Sequence, residues 1–226
     1  MAYWELKIVK MYRTVFLLLS SCLFFSCKEK TNDNLAMPYY NEPDFNPIFI
    51  KKKSEILEKI THTIGSFSFL NQDSIVITQY NVENKIHVAN FIFTTCGSIC
   101  PVMTSNLKMV GTAFKNEKEV VLLSYSVTPW IDKPYILKRY MSKNGIKNTN
   151  WNFLTGDRSS IYKLARQSYF AEENIGFSKD SSEFLHTEHV ILVDKSKRIR
   201  GVYNGTLSLE MQHLIEDIRS LQNEND

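Results

Sequence analysis

Cysteine is scarce in this sequence, with four residues in 226, at Cys22, Cys27, Cys96 and Cys100. So few cannot staple a chain of this length, and stability has to come from one core of ordinary size. Long apolar runs are missing too. The stretch VFLLLSSCLFFS holds 12 residues, Val15 to Ser26, whereas an ordinary membrane helix needs about 20. Nor is there an excess of one charge. The net +3 is local, because setting aside Lys7, Lys10, Arg13 and Glu5 leaves 24 basic and 23 acidic residues. A near-neutral body has no electrostatic footprint for nucleic acid, and that class is excluded. Internal repeats and low-complexity tracts are absent as well.

What is present begins with the leader. Basic residues up to Arg13 precede the short apolar run, and SCKEK follows it. The run has the length of a signal-peptide core. The arrangement resembles a bacterial lipoprotein signal, whose cysteine receives lipid and becomes the mature N-terminus. Two cysteines compete for that role. Cys22 ends LSSC, with the better small positions, whereas Cys27 follows a fuller apolar run and precedes the charged KEK. Cys27 is favoured, and Met11 is an alternative start. An uncleaved amphipathic or membrane anchor is the other reading of this segment. The expected division is a signal over residues 1–26, a tether and lead-in over 27–60, and a folded domain over 61–226. Either reading puts that domain outside the cytoplasmic membrane, where the remaining pair, Cys96 and Cys100, can be oxidised, reduced or metallated.

The body alternates strands with helices. After a short helix in the lead-in, SFSFL and SIVITQY read as strands. KIHVANFIFTT and EVVLLSYSV are apolar almost throughout, as central strands covered on both faces should be. Between them, Ile99, Val102, Met103, Leu107, Val110 and Phe114 recur at helical spacing, and Pro101 suits a first helical turn. KPYILKRYMSKNG predicts a helix stopped at Gly145. NWNFLTGD predicts a strand and turn, and SSIYKLARQSYF a helix. HTEHVILVD and IRGVYNGT form a hairpin around KSKR before a C-terminal helix. The order predicts an α/β, thioredoxin-like sandwich with a central mixed sheet and an added β-hairpin.

Chemistry concentrates in FIFTTCGSICPVM. Cys96 falls between a central strand and a helix, where open α/β sheets build their sites and where helix N–H groups favour a thiolate. At i and i+4 of a helix, Cβ atoms lie about 5–6 Å apart, wider than the roughly 3.5–4.5 Å of a disulfide. The spacing therefore tilts towards a metal without forbidding a disulfide. Two thiolates are soft donors, suited to Cu(I) and also to Zn(II). A third ligand has to come from elsewhere among His62, His87, His186, His189 and His213. His62 and His87 have no motif around them, and His213 sits on an amphipathic helix. His186 and His189 open a predicted strand. Met103 reads more simply as core than as a thioether ligand, and Glu188 shares the strand parity of His186. A structural disulfide is the bland alternative, although a staple closing so small a loop stabilises little.

At this point the residues resemble a family. NFIFTTCGSICPVM, WNFLTGD and FLHTEHVILVD, spread in order over roughly residues 64–220, are similar to the SCO/SenC proteins of cytochrome c oxidase assembly. The resemblance implies a thioredoxin-like fold and a copper site made by Cys96, Cys100 and His186. His186 rather than His189 falls at the family position, because Thr187 follows it and Leu192-Val193-Asp194 lie at the right distance. The resemblance also implies a metallochaperone that delivers copper, as Cu(I) or Cu(II), to the copper-site subunit of a terminal oxidase. The domain would be lipid-anchored on the periplasmic side of a bacterial membrane. The alternative is a thiol–disulfide oxidoreductase in which Cys96 and Cys100 form a redox-active disulfide and keep client cysteines reduced. A classical enzyme is not expected. A thiol peroxidase is disfavoured because Phe93 stands where such enzymes usually carry threonine. SVTPWIDKPYILKRY departs from the family's S-V-D-P-x-x-D-T-P. Asp132 matches and Thr128 does not, which weakens any redox or docking role for that segment.

Overall fold

The computed structural model describes residues 37–171 and 187–224; Cys22, Cys27 and His186 lie outside the described residues. Seven strands form one mixed sheet in the order β2-β1-β5-β4-β3-β6-β7. They are β1 (Ser68–Asn71), β2 (Val76–Thr78), β3 (Ile86–Ile92), β4 (Val120–Ser126), β5 (Trp151–Thr155), β6 (His189–Val193) and β7 (Ile199–Asn204). β3, β4 and β5 run parallel, and every other pairing is antiparallel. Among the described residues the α-helices are α1 (Ile56–Lys59), α2 (Ile99–Ala113), α3 (Pro134–Lys143), α4 (Arg158–Gln167) and α5 (Ser208–Asn223). This is the α/β sandwich expected, with the antiparallel β6–β7 hairpin flanking the parallel core.

Burial explains the central strands. Every residue of β3 and β4 is buried, because a core lies on each face of the sheet. On one face Ile86, Val88 and Ile92 meet Leu107 of α2, Leu137 of α3 and Met211 of α5. On the other, Ala89 and Phe91 meet Ile161 and Leu164 of α4 and Tyr169 beyond it. An apolar surface covered on both sides has no reason to alternate, and the sequence of these strands does not.

Three local expectations shift. β2 keeps only Val76–Thr78, because Thr78 caps a following turn, Gln79–Asn81, in a reciprocal box with Asn81. β6 opens at His189 rather than His186. On α2 the buried stripe is Cys100, Met103, Thr104, Leu107, Val110 and Gly111, while Val102 is 45 % exposed. The helix begins at Ile99, so its inward face is set by Cys100 and Met103, and Val102 turns to solvent. Other signals hold: Gly145, just past α3, adopts a φ of 67°, the left-handed geometry that a helix stop uses.

The two ends of the sheet are distinct. β3, β4 and β5 all finish at one pole, where α2, α3 and α4 begin. The far pole collects the starts of those strands, the end of α5 and the β6–β7 turn. Seven extended residues separate the poles by roughly 20 Å.

Candidate metal and thiol site

The loop after β3 delivers both cysteines to the first pole. Its backbone turns back on itself, and the Cys96 N–H donates to the Phe93 carbonyl at 3.2 Å. Cys96 is half-buried and lies before the helix. Cys100 is the second residue of α2, 3 % exposed. Both are free thiols. The Cys100 N–H donates to the Cys96 Sγ at 3.4 Å, and Ser98 Oγ stands 3.8 Å from the same sulfur. The helical i, i+4 separation therefore does not apply to this pair: Cys96 sits on a loop that folds its sulfur over the N-terminus of α2.

The two thiols are unlike. Burial works against ionisation of Cys96, but hydrogen bonds from the Cys100 and Ser98 backbone and side chains outweigh it and leave its pKa below the ordinary thiol value. Burial pushes Cys100 up to about 12, against a backbone hydrogen bond from Phe93; its side-chain hydrogen bond to Cys96 adds to the rise. An accessible sulfur that ionises readily thus sits on a buried one that does not, an arrangement suited both to nucleophilic attack and to paired soft ligation.

A buried carboxylate underlies the loop. Asp132, 0 % exposed, accepts from the Thr94 N–H at 3.1 Å, from the Ser126 hydroxyl at 2.6 Å and from the Thr128 hydroxyl at 2.9 Å, and also from the Thr94 hydroxyl. It ties the end of β4 to the residue two before Cys96. Thr128 therefore takes part in the segment's structure despite departing from the family pattern, since its hydroxyl satisfies Asp132. Tyr140 of α3 is a neighbour that sequence reasoning missed. Its hydroxyl pairs with Thr104 at 2.8 Å. Its pKa is raised by burial first, with Cys100, Cys96 and Asp132 adding to the rise. Only helical periodicity marked this tyrosine, and that carries no chemistry.

The described histidines stand apart from the sulfurs. His62 bonds the Ser168 carbonyl at 2.8 Å and packs on Phe170. His87 is buried against the Tyr169 hydroxyl at 3.1 Å. His189 packs edge-on against Phe45, on the sheet face opposite Cys100, and His213 is exposed on α5. Met103 is fully buried core. Among the described residues, no group of three or more His, Cys, Asp or Glu side chains forms a preformed metal site. Two soft donors at one helix start fit a thiophilic metal.

A family model described as SCO1/SenC matches residues 57–223. The chain belongs to the SCO1/SenC family. A curated relative, the SCO1 protein homolog of Bacillus subtilis (strain 168), is 30 % identical over 168 residues, 74 % of this chain and 86 % of that protein. Three solved structures agree in fold. A SCO1/SenC family lipoprotein from Bacillus anthracis str. Ames is 29 % identical with a TM-score of 0.62, covering 72 % of this chain and 96 % of the other. BsSco, described as a member of the Sco family of cytochrome c oxidase assembly proteins with a disulfide switch, is 29 % identical with a TM-score of 0.61, covering 73 % and 95 %. Bradyrhizobium japonicum ScoI with copper bound is 22 % identical with a TM-score of 0.56, covering 70 % and 99 %. The SCO1/SenC match spans all seven strands and, Met37 aside, the buried residues of the cores on the two sheet faces.

Proposed function

We propose that this SCO1/SenC protein carries copper for assembly of the copper centre of a cytochrome c oxidase, holding the ion as cargo between the Cys96 and Cys100 thiolates and the His186 imidazole. The observation that carries the reading is the contact between Cys96 Sγ and the Cys100 N–H at the head of α2, in a family that includes a copper-bound structure. Two thiolates and one imidazole suit both Cu(I) and Cu(II), because a third thiolate would favour reduction and retention. The domain sits outside the cytoplasmic membrane, held by lipid on Cys27 at the head of a tether, and one relative is described as a lipoprotein. The test is a Cu(I) titration against a competing chelator. Wild type should hold one copper, whereas Cys96→Ser, Cys100→Ser and His186→Ala should each lose it. Undiminished binding by His186→Ala would sink the three-ligand site.

The asymmetry of the thiols favours a second activity on the same residues. The Cys96 thiolate attacks a client disulfide and expels one client thiolate. The Cys100 sulfur then attacks Cys96 in the mixed disulfide, its proton passing to the departing client thiolate, and releases the second client thiol. Two electrons pass to the client, and the domain is left with a Cys96–Cys100 disulfide. Exchange that survives His186→Ala while copper binding is lost would separate the two activities.

A further inference from the structure

The far pole gathers lysines without partners. Lys115 and Lys118 lie between α2 and β4, Lys143 ends α3 and Lys147 precedes β5; all four are exposed. None has an ion-pair partner among the described residues. The acids there are mostly engaged. Glu117 accepts from Gln222 at 2.5 Å, Asp73 pairs with Lys138 at 2.9 Å, Glu119 lies 3.4 Å from Lys195, and Asp194 and Glu224 face Arg200. Of the acids there, Glu83 and Glu117 have no cationic partner among the described residues, against four such lysines. A cleft of about 900 Å³ opens between these loops, lined by Lys115, Lys118 and Lys147 and by the amides of Asn116, Asn148 and Asn152.

The chain enters the domain at this same end. Arg200 donates to the Met37 and Pro38 carbonyls at 3.0 Å each, and Tyr40 pairs with Ile199 at the start of β7. Arg200 also binds Glu224, at the end of α5, while Gln222 of α5 reaches Glu117 beside the lysines. From Cys27 the tether reaches Met37 in at most about 35 Å when fully extended. We propose that this lysine pole lies on the anionic phospholipid headgroups of the membrane that anchors the chain, which turns the cysteine pole away from the bilayer. The inference rests on the lipid-anchored reading above. Charge complementarity supplies the attraction, and the covalent entry point lies at the same end.

Residues 36–226 form one compact unit, and the solved relatives consist almost wholly of the matching part, so this piece can be tested alone. It is floated with phosphatidylcholine vesicles, with or without about a third phosphatidylglycerol, at about 0.1 M and about 1 M salt. Binding should require the anionic lipid, vanish at high salt, and fall at least about tenfold in Lys115→Glu/Lys118→Glu/Lys147→Glu. Lys163→Glu on α4 should bind as wild type. Equal binding to neutral vesicles, no binding at low salt, or an unaffected triple variant would overturn the inference. Cu(I) titration of the triple variant reads the copper proposal separately. Membrane fractionation of full-length Cys27→Ser reads the anchor separately.

Discussion

The two ends of the sheet share one backbone and expose opposite chemistry. At the cysteine pole the exposed side chains include Val102, Trp130, Ile131, Tyr135, Leu207 and Leu209, with Trp130 also lying under the Arg158 guanidinium. The far pole exposes lysines and amides, with Ile75 and Val76 at the β1–β2 turn beside them. Parallel strands separate these characters. Their carboxyl ends gather helix N-termini, which stabilise thiolates, and their amino ends gather helix C-termini, where cations are favoured. The cysteine pole thereby carries an exposed apolar rim around the two thiols. The chain's own entry point falls at the other end.

The largest break is at the sulfurs. Cys100→Ser should abolish copper binding and thiol exchange while leaving vesicle binding untouched; a change in both would mean that the poles are not independent. Next comes Asp132→Ala, which strands the Thr94, Ser126 and Thr128 donors in a buried place and should cost about 3 kcal/mol, read by urea unfolding. Alkylation of Cys96 should change in the milder Asp132→Asn, because Thr94 is no longer held in the same way. At the far pole, Arg200→Met removes a buried guanidinium that binds Glu224 at 2.7 and 2.8 Å and stacks on Tyr39 at 4.0 Å. It should cost about 2 kcal/mol and loosen the tether junction, read as faster proteolysis near Met37, with copper binding unchanged.

The smallest effect is a pH dependence. Burial lowers His87 from 6.5 to about 3, so the folded state keeps it neutral while the unfolded chain protonates. The unfolded state then binds more protons between those values. Stability is full above about pH 6.5 and falls as the pH drops towards 3, by at most about 1.4 kcal/mol per unit from this group. His87→Leu should flatten that slope in denaturant titrations at stepped pH. An unchanged slope would assign the acid sensitivity elsewhere.

Much of this was legible in the order of residues. The unbroken apolar runs of β3 and β4 announced strands covered on both faces, and CGSICPVM at the end of one of them announced two thiols beside a helix start. Gly145 announced the end of α3. Legibility failed where a residue's role depends on which neighbour arrives. Val102 fits the helical stripe as well as Cys100 does until the helix start is known. Asp132 and Tyr140 gain their meaning only from Thr94 and Thr104, residues distant in sequence. Lys115, Lys118, Lys143 and Lys147 look like an ordinary solvated surface until loops from separate places converge.

Local pattern alone determined the element types, the covered strands and the presence of two paired soft donors, because periodicity and composition act through near neighbours. Tertiary structure decided the rest. It set the unequal thiols, since burial and hydrogen bonding depend on how the loop folds over α2. It set the carboxylate beneath that loop, since Asp132 is satisfied by donors from two strand ends. It set the division into an apolar cysteine pole and a lysine pole, since strand direction sends residues far apart in the chain to the same end.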